Sequence, residues 1–424
     1  MIRRQMRRKV CFAAATCSLC LALPSAIGQV PRTGEMSASI LPSRRTVDGL
    51  DVLEHRPDAL ERAPQFTTAP TPVVVFGGAD ADPTYDLTWL SNAVLLPDGS
   101  IATFSRIGSK LFVFGRDGHP RRIIGRQGQG PGEFMAASGI VPGSGDSLIL
   151  VDFANRRINW ILADRGVVAE RPLAPEFHRQ LSSVAGVLGN QLIVMSSAGR
   201  LQQGVVGQVT RPPASIGVLS PADGKSRLIA EVPDLSTAMI ETRYRGRPRM
   251  TAHPVRLGDR VHITVWDALI VTASGDSRIE LRDSNGRVVR RLIIPAVRRP
   301  VTAAMRRQII ERELARLRGP NSEPLIDPAE SERLAREAPF ADSLPVIGNI
   351  LVGGDRVMWI VDPAIPGEST WAATGVALDG SIVARVRGSG GIPMAFGPGR
   401  VLLRREDADG VVSLAAYGLV PRPR

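Results

Sequence analysis

Cysteine, lysine and aromatic residues are scarce in this sequence, and histidine is little commoner. The three cysteines, Cys11, Cys17 and Cys20, all fall in one apolar run near the N-terminus. Beyond residue 28 there is no thiol, which excludes a disulfide, a thiolate metal site and a cysteine nucleophile from that part. Lysine occurs only at Lys9, Lys110 and Lys225, although Lys and Arg together number 53. A skew of this kind reflects coding composition before it reflects anion recognition, although the arginine fork does suit bidentate anion binding. Aromatic residues make up 4% of the chain, too few to suggest a sugar-stacking groove. The five histidines, His55, His119, His178, His253 and His262, form no H-x-H or H-x-x-x-H pair, and so suggest no zinc centre. A phosphate-binding G-x-x-x-x-G-K-[ST] loop, a dinucleotide G-x-G-x-x-G and a G-x-S-x-G nucleophile elbow are also missing.

What is present begins with an export signal. MIRRQMRRK is followed by an apolar run from Val10 to Leu23 and a small-residue site at Ala26-Ile27-Gly28. This pattern predicts a signal peptide over 1–28, with cleavage before Gln29, and a periplasmic or secreted protein. The apolar run is too short for a comfortable membrane span, and no later segment approaches ~20 apolar residues, so the mature chain is expected to lack a transmembrane segment. The formal net charge is +12; loss of Arg3, Arg4, Arg7, Arg8 and Lys9 with the signal leaves +7. Residues 29–70 are rich in Pro, Ser, Thr, Arg and Glu without periodicity and read as a flexible lead-in.

From residue 71 the chain turns into short β-branched runs separated by Gly and Asp turns. Two windows superpose, Asn92 to Gly125 and Gly139 to Pro172, with Ile101 matching Leu148 at an offset of 47 residues. Each holds four short strands, the repeat of a propeller blade. The linker Gly125-RQGQGPGE-Phe134 precedes Gly139-Ile140, and Asp152-Phe153-Ala154-Asn155-Arg156-Arg157-Ile158 follows. These stretches resemble the NHL repeat, and the layout is similar to a bacterial group of exported six-bladed propellers, most of unknown function. The resemblance implies structural roles for Gly128, Gly130, Pro131, Gly132, Phe134, Asp152, Asn155 and Arg157. The glycines and Pro131 would shape the linker, Phe134 would plug the gap between blades, and the three polar residues would fix a turn.

Looser units continue at Ser183–Val232, Val261–Ile294 and Ile347–Val386. The last unit, Pro393–Tyr417, has three strands of its own and needs Val73–Phe76 to complete it. That closure would join the two ends of the chain and bury an edge. The expected fold is therefore all-β, a six-bladed NHL-like β-propeller over 71–424, with seven blades as the alternative count. Between blades four and five, at about 298–343, the period breaks. Thr302 reads as an N-cap for a helix over Ala303–Arg318, and Asp327-Pro328 opens a second helix to Glu337.

The chemistry of the sequence is less specific. The gluconolactonase type of propeller holds a divalent cation in its channel with a Glu, an Asn and an Asp, but its Glu-Gly-Pro signature is absent here. Asp86 and Asn92 alone are too few oxygen ligands. Two arginine groups are candidate binding residues: Arg243, Tyr244, Arg245, Arg247 and Arg249 on a loop, and Arg306 and Arg307 on the inserted helix. The reading is a non-catalytic, exported, monomeric scaffold for a protein, peptide or anionic polymer, with no cofactor, no metal and no nucleic-acid partner. The alternative is a metal-dependent hydrolase or lyase of the lactonase type with its site in the central channel.

Overall fold

Turn chemistry cuts the chain into short antiparallel strands. Asp98 Oδ1 accepts from the backbone N–H of Ser100, Asp283 Oδ1 from that of Asn285 and Asp379 Oδ1 from that of Ser381. Each such side chain closes a tight reversal between two strands without help from the rest of the fold. In a computed structural model of the protein, residues 39–422 are described apart from 79–80, 136, 174–182, 198–204, 245, 319–326 and 408. The signal peptide expected over 1–28 lies outside the described residues.

Among the described residues, six four-stranded antiparallel meanders follow one another. Sheet I comprises Leu90–Leu95, Ile101–Ser105, Lys110–Phe114 and Pro120–Ile124, and sheet II comprises Ala137–Pro142, Ser147–Asp152, Arg157–Leu162 and Gly166–Pro172. Sheet III comprises Ser183–Leu188, Gln191–Ser197, Pro213–Leu219 and Ser226–Pro233, and sheet IV His262–Trp266, Leu269–Ala273, Arg278–Arg282 and Val288–Ile293. Sheet V comprises Asn349–Val352, Met358–Val361, Thr370–Val376 and Ile382–Ser389. Sheet VI comprises Ile392–Gly397, Arg400–Glu406 and Val412–Pro421, completed by Val74–Gly77 from the start of the fold, whose Phe76 pairs with Leu414.

The first strands of the sheets touch in cyclic order, I to II through VI and back to I. The core divides the same way. Phe104, Phe134 and Leu150 pack between sheets I and II, Val151 and Leu192 between II and III, and Ile216 and Ile270 between III and IV. Leu281 and Ile360 pack between IV and V, Trp359 and Phe396 between V and VI, and Phe76, Phe114 and Leu402 between VI and I. A strand whose two faces both meet neighbouring sheets must be apolar on both, and Ile101–Ser105 is buried at every position. The result is an all-β, propeller-like ring with its apolar surface in the seams between sheets.

The expected lead-in behaves differently from the expectation. Beyond residue 39 it is a strap along the outside of the ring. Strand β1 (Ser43–Val47) turns into β2 (Leu50–Glu54), which adds parallel to the outer strand of sheet IV. Helix α1 (Ala59–Arg62) leads to β3 (Gln65–Thr68). Strand β3 pairs parallel with the outer strand of sheet V and antiparallel with the end of Val412–Pro421 in sheet VI. Strand β4 (Val74–Gly77) then completes sheet VI. The composition is polar because β1 is exposed throughout, while Val52 and Leu53 are buried against sheet IV. Backbone pairing, with little apolar periodicity, holds the strap.

Two insertions stand outside the meanders. Thr237–Tyr244 and Arg247–Pro254 form a long hairpin, joined by Val209–Thr210. Helix α2 (Ala303–Arg318) and helix α3 (Pro328–Glu337) lie in sequence between sheets IV and V. Thr302 Oγ1 accepts from the N–H of Met305, and Asp327 Oδ1 from those of Ala329 and Glu330, so both helices begin on side-chain caps. Among the described residues no helix is long and apolar enough to cross a membrane.

Candidate binding surface

In a four-stranded meander the connections alternate between two rims. One rim takes the turns between strands one and two and between three and four. The other takes the remaining turn and the linker into the next sheet. Both insertions belong to this second rim, as does the linker 125–134.

That linker is held by the polar residues picked out in the sequence. Buried Asp152 accepts from the N–H of Met135 at 2.8 Å and from Asn155 Nδ2 at 2.9 Å. Arg157 donates from Nη2 to the carbonyl oxygens of Gly130 and Glu133, both at 2.6 Å, and pairs with Glu170 at 3.3 Å. The N–H of Gly132 donates to Glu170, and the N–H of Gly130 donates to Glu133, whose carboxylate lies where a side chain on Gly128 would begin. Pro131 sits exposed between them. Phe134 is fully buried, edge-on to Phe104 with ring centres 6.2 Å apart. Gly139 has φ +138°, and a Cβ there would come within 2.7 Å of Asn92 Oδ1. The space is needed because the Asn92 amide spans two inner strands, accepting from Ile140 N–H and donating to Ile140 O.

The candidate arginines separate into two places. Arg243, Arg247 and Arg249 lie on the hairpin, whose paired strands replace the loop expected for Glu241–Met250; Arg245 lies outside the described residues. The segment is a hairpin because it pairs residue for residue through its backbone, Tyr244 with Arg247 and Thr242 with Arg249, which its arginine-rich composition does not advertise. Arg247 and Arg249, two apart on one strand, share a face and are exposed. On Arg243 the backbone N–H donates to Glu330 Oε1 at 2.8 Å, docking the hairpin on α3. Arg333, hydrogen-bonded to Glu330, holds that carboxylate below its ordinary range and is itself raised in turn.

Arg306 and Arg307 are exposed on the first turns of α2. Arg306 lies over the Phe340 ring at 5.6 Å, and Arg256, just past the hairpin base, lies over the same ring at 5.0 Å. The two arginine groups are therefore at opposite ends of the hairpin, roughly 20 Å apart by strand rise. The sequence reading missed Arg256, whose side chain is almost wholly buried and joins Glu313 at 2.6 Å and the carbonyl oxygens of Leu334 and Ala335. It also missed Trp89, 39% exposed, with Arg316 of α2 6.0 Å above its ring. Neither contact has a local sequence signal, since each joins segments far apart in the chain.

The described histidines stand singly. His55, 6% exposed, donates from Nε2 to Gly380 O at 2.9 Å, and burial lowers its pKa. His262, at the start of sheet IV, is lowered to about 4 by burial and then by Arg260, against the Ile347 carbonyl and Asn349. His119 is at a turn, His253 is at the end of the hairpin, and His178 lies outside the described residues. Among the described residues no three His, Cys, Asp or Glu side chains converge. The six inner strands carry Ser, Thr, Asn and His262 as their polar residues and no carboxylate.

Residues 90–165 match the model of a family described as a 6-bladed beta-propeller (DUF5128). No curated protein matches the chain. Among solved structures, the chain is similar to a DUF4221-family member from Bacteroides vulgatus, with 8% identity, 84% of this chain and 98% of that one covered, and a TM-score of 0.48. A protein of unknown function from Bacteroides thetaiotaomicron matches at 12% identity, covering 84% of this chain and 74% of that one, with a TM-score of 0.43. A calcium-binding protein, regucalcin from Agrobacterium tumefaciens, matches at 10% identity, covering 85% and 97%, with a TM-score of 0.39.

Proposed function

We propose that this chain is an exported six-bladed, NHL-like propeller that works as a binding scaffold for an acidic protein segment or anionic polymer, without catalysis. In this reading the signal peptide is 1–28, the folded unit runs from the strap to the C-terminus, and the helical insertion covers one mouth of the ring. The contacts of α2 support the covering role. Gln308 packs against Gly367 of sheet V, Glu313 reaches Arg256 from between sheets III and IV, and Arg316 reaches Trp89 at the entry to sheet I. Sixteen helical residues extend about 24 Å, enough to cross from sheets IV and V towards sheet I on the far side of the ring.

The observation that carries the function is the exposed pair Arg247 and Arg249 on the rim that holds both insertions. Neither meets a carboxylate among the described residues, so their charge is free for a ligand. The absence of carboxylates from the inner strands supports binding over metal chemistry in the channel.

The test uses mature protein and immobilised polygalacturonate. Binding that falls with salt and weakens about tenfold in Arg247→Glu/Arg249→Glu supports the reading. No binding, together with a stoichiometric tightly held cation and lactone or lyase turnover lost on chelation, replaces it with an enzyme. Mass spectrometry of the exported protein should give an N-terminus at Gln29.

A further inference from the structure

The outer edges of the sheets are treated unequally. Sheet IV has β2 added to its outer strand, sheet V has β3, and β3 also reaches sheet VI. Sheet III has no added strand, but the turn of sheet IV lies over its outer strand, with Gly286 packed on the backbone of Ile229; the turn of sheet II reaches the outer strand of sheet I through Asp164 O, which accepts from Arg122. Sheets I and II have no added strand among the described residues. Between their outer strands, Pro120–Ile124 and Gly166–Pro172, lies a groove of about 630 Å³. Its walls run from Arg122 to Gly125 on one side and from Gly166 to Glu170 on the other, with Pro131 and Gly132 at one end.

We infer that this groove is a second docking site, taking an extended acidic peptide that adds as a strand to the outer edge of sheet I or II. The chain itself supplies the precedent. Both added strands lie parallel to the outer strand they join, and both pair just beyond a bulge. In sheet IV the register shift precedes Arg290, and pairing with β2 runs from Arg290 to Ile293. In sheet V the shift precedes Ala384, and pairing with β3 covers Arg385 to Arg387. The same shift occurs in sheet I before Arg122, in sheet II before Ala169 and in sheet III before Ala230, where the turn of sheet IV lies over the strand. In sheets I and II the segments just beyond it border the groove and are the counterparts of those that already hold a strand.

A bare outer strand offers backbone N–H and C=O groups in a row, and another extended backbone satisfies them in register. Charge selects the occupant. Arg122 lines the groove and donates to the carbonyl oxygen of Asp164, and among the described residues it pairs with no carboxylate. The acid on the opposite wall, Glu170, is already held by Arg157 and the N–H of Gly132. Val168, 48% exposed, adds an apolar contact for alternate side chains of the peptide.

The probe is a blocked octapeptide of alternating valine and glutamate, titrated into the mature protein. Saturable binding is expected, with new amide-exchange protection over 122–125 and 166–172. The same peptide N-methylated at alternate residues keeps its charge but loses N–H donors, and it should not bind. Arg122→Glu, a change at an exposed site, should weaken binding about tenfold. No binding of the octapeptide overturns the inference, as does equal binding of the N-methylated form. Loss of binding in Arg247→Glu/Arg249→Glu with Arg122→Glu unaffected also overturns it, and would instead support the hairpin face. The polyanion test of the scaffold reading does not use this groove, so the two can fail independently.

Discussion

Asn155 donates from Nδ2 to the carbonyl oxygen of Gly128 at 2.8 Å, a bond between residues 27 apart that ties a turn of sheet II to the linker feeding that sheet. The same amide group donates to Asp152, which is fully buried and also accepts from the N–H of Met135. Asp152→Ala removes the shared acceptor from the buried centre of this network, taking from the N–H of Met135 and from Asn155 a bond that each makes there. It should destabilise the protein by about 2–4 kcal/mol in urea unfolding. Asn155→Ala, whose site is only half-buried, should cost about 1–2 kcal/mol.

The plug of the same linker gives a second test. Phe134 has no exposed surface, and its ring lies against the backbone of Gly125, which is at φ +81°. Phe134→Ala should cost about 3–5 kcal/mol through the cavity it leaves. Gly125→Ala is strained by its φ and also collides with the ring. In the double variant the collision disappears while the φ strain stays. The two changes should therefore be sub-additive by about 1 kcal/mol or more, measured by a double-mutant cycle of unfolding free energies.

The residues that were legible share a property: their signal is local. The Asp and Gly turns, the caps at Thr302 and Asp327 and the alternating apolar runs all encode structure within a few residues, and the all-β, strand-rich character of the chain follows from them. The closing strand was legible because sheet VI would otherwise expose an edge. The strap was not, because Ser43–Val47 is exposed throughout and β3 is held by backbone bonds to two sheets. The two-part arrangement of the arginines was hidden for a related reason. Residues 243–249 and 306–307 are alike in composition, and only the hairpin and the Phe340 contact show that they face different surroundings.

Acid should loosen the fold through two histidines. Burial depresses the pKa of His262 from 6.5 to about 4 and lowers that of His55. Both are neutral in the folded chain at neutral pH. As pH falls below about 6.5 the unfolded chain takes up protons that the folded chain refuses, so stability drops until the folded-state pKa is passed. For His262 that window is between pH 6.5 and about 4, and the loss is of order 1–3 kcal/mol. Unfolding midpoints in urea at pH 7 and pH 4.5 check this. His262→Gln should be less stable or equal at pH 7 and should show a clearly smaller drop between the two conditions. An unchanged drop would exclude His262 as the source.

The strap is expected to matter more than its polar sequence suggests. Leu53 is 2% exposed and packs with Leu281 and Leu292 of sheet IV and Ile360 and Ile382 of sheet V, so it seals the outside of a seam. Truncation at that site removes burial on both sheets at once, and Leu53→Ala should cost about 2–5 kcal/mol. Deleting everything before residue 56 removes β1 and β2 but keeps β3 and β4. Sheet IV then has a bare outer strand, as sheets I and II do, and the ring stays closed. That chain should remain folded but be less stable. Deleting through residue 78 is a different change, because β4 supplies the fourth strand of sheet VI and Phe76 fills the seam to sheet I. Without it the ring loses a covered edge and the plug of a seam together, and cooperative unfolding should be lost. Circular dichroism melts of the two deletions should separate these effects: a lowered but sharp transition for the first, a broad or missing one for the second. A sharp transition in both would mean that the ring closes without its N-terminal strand.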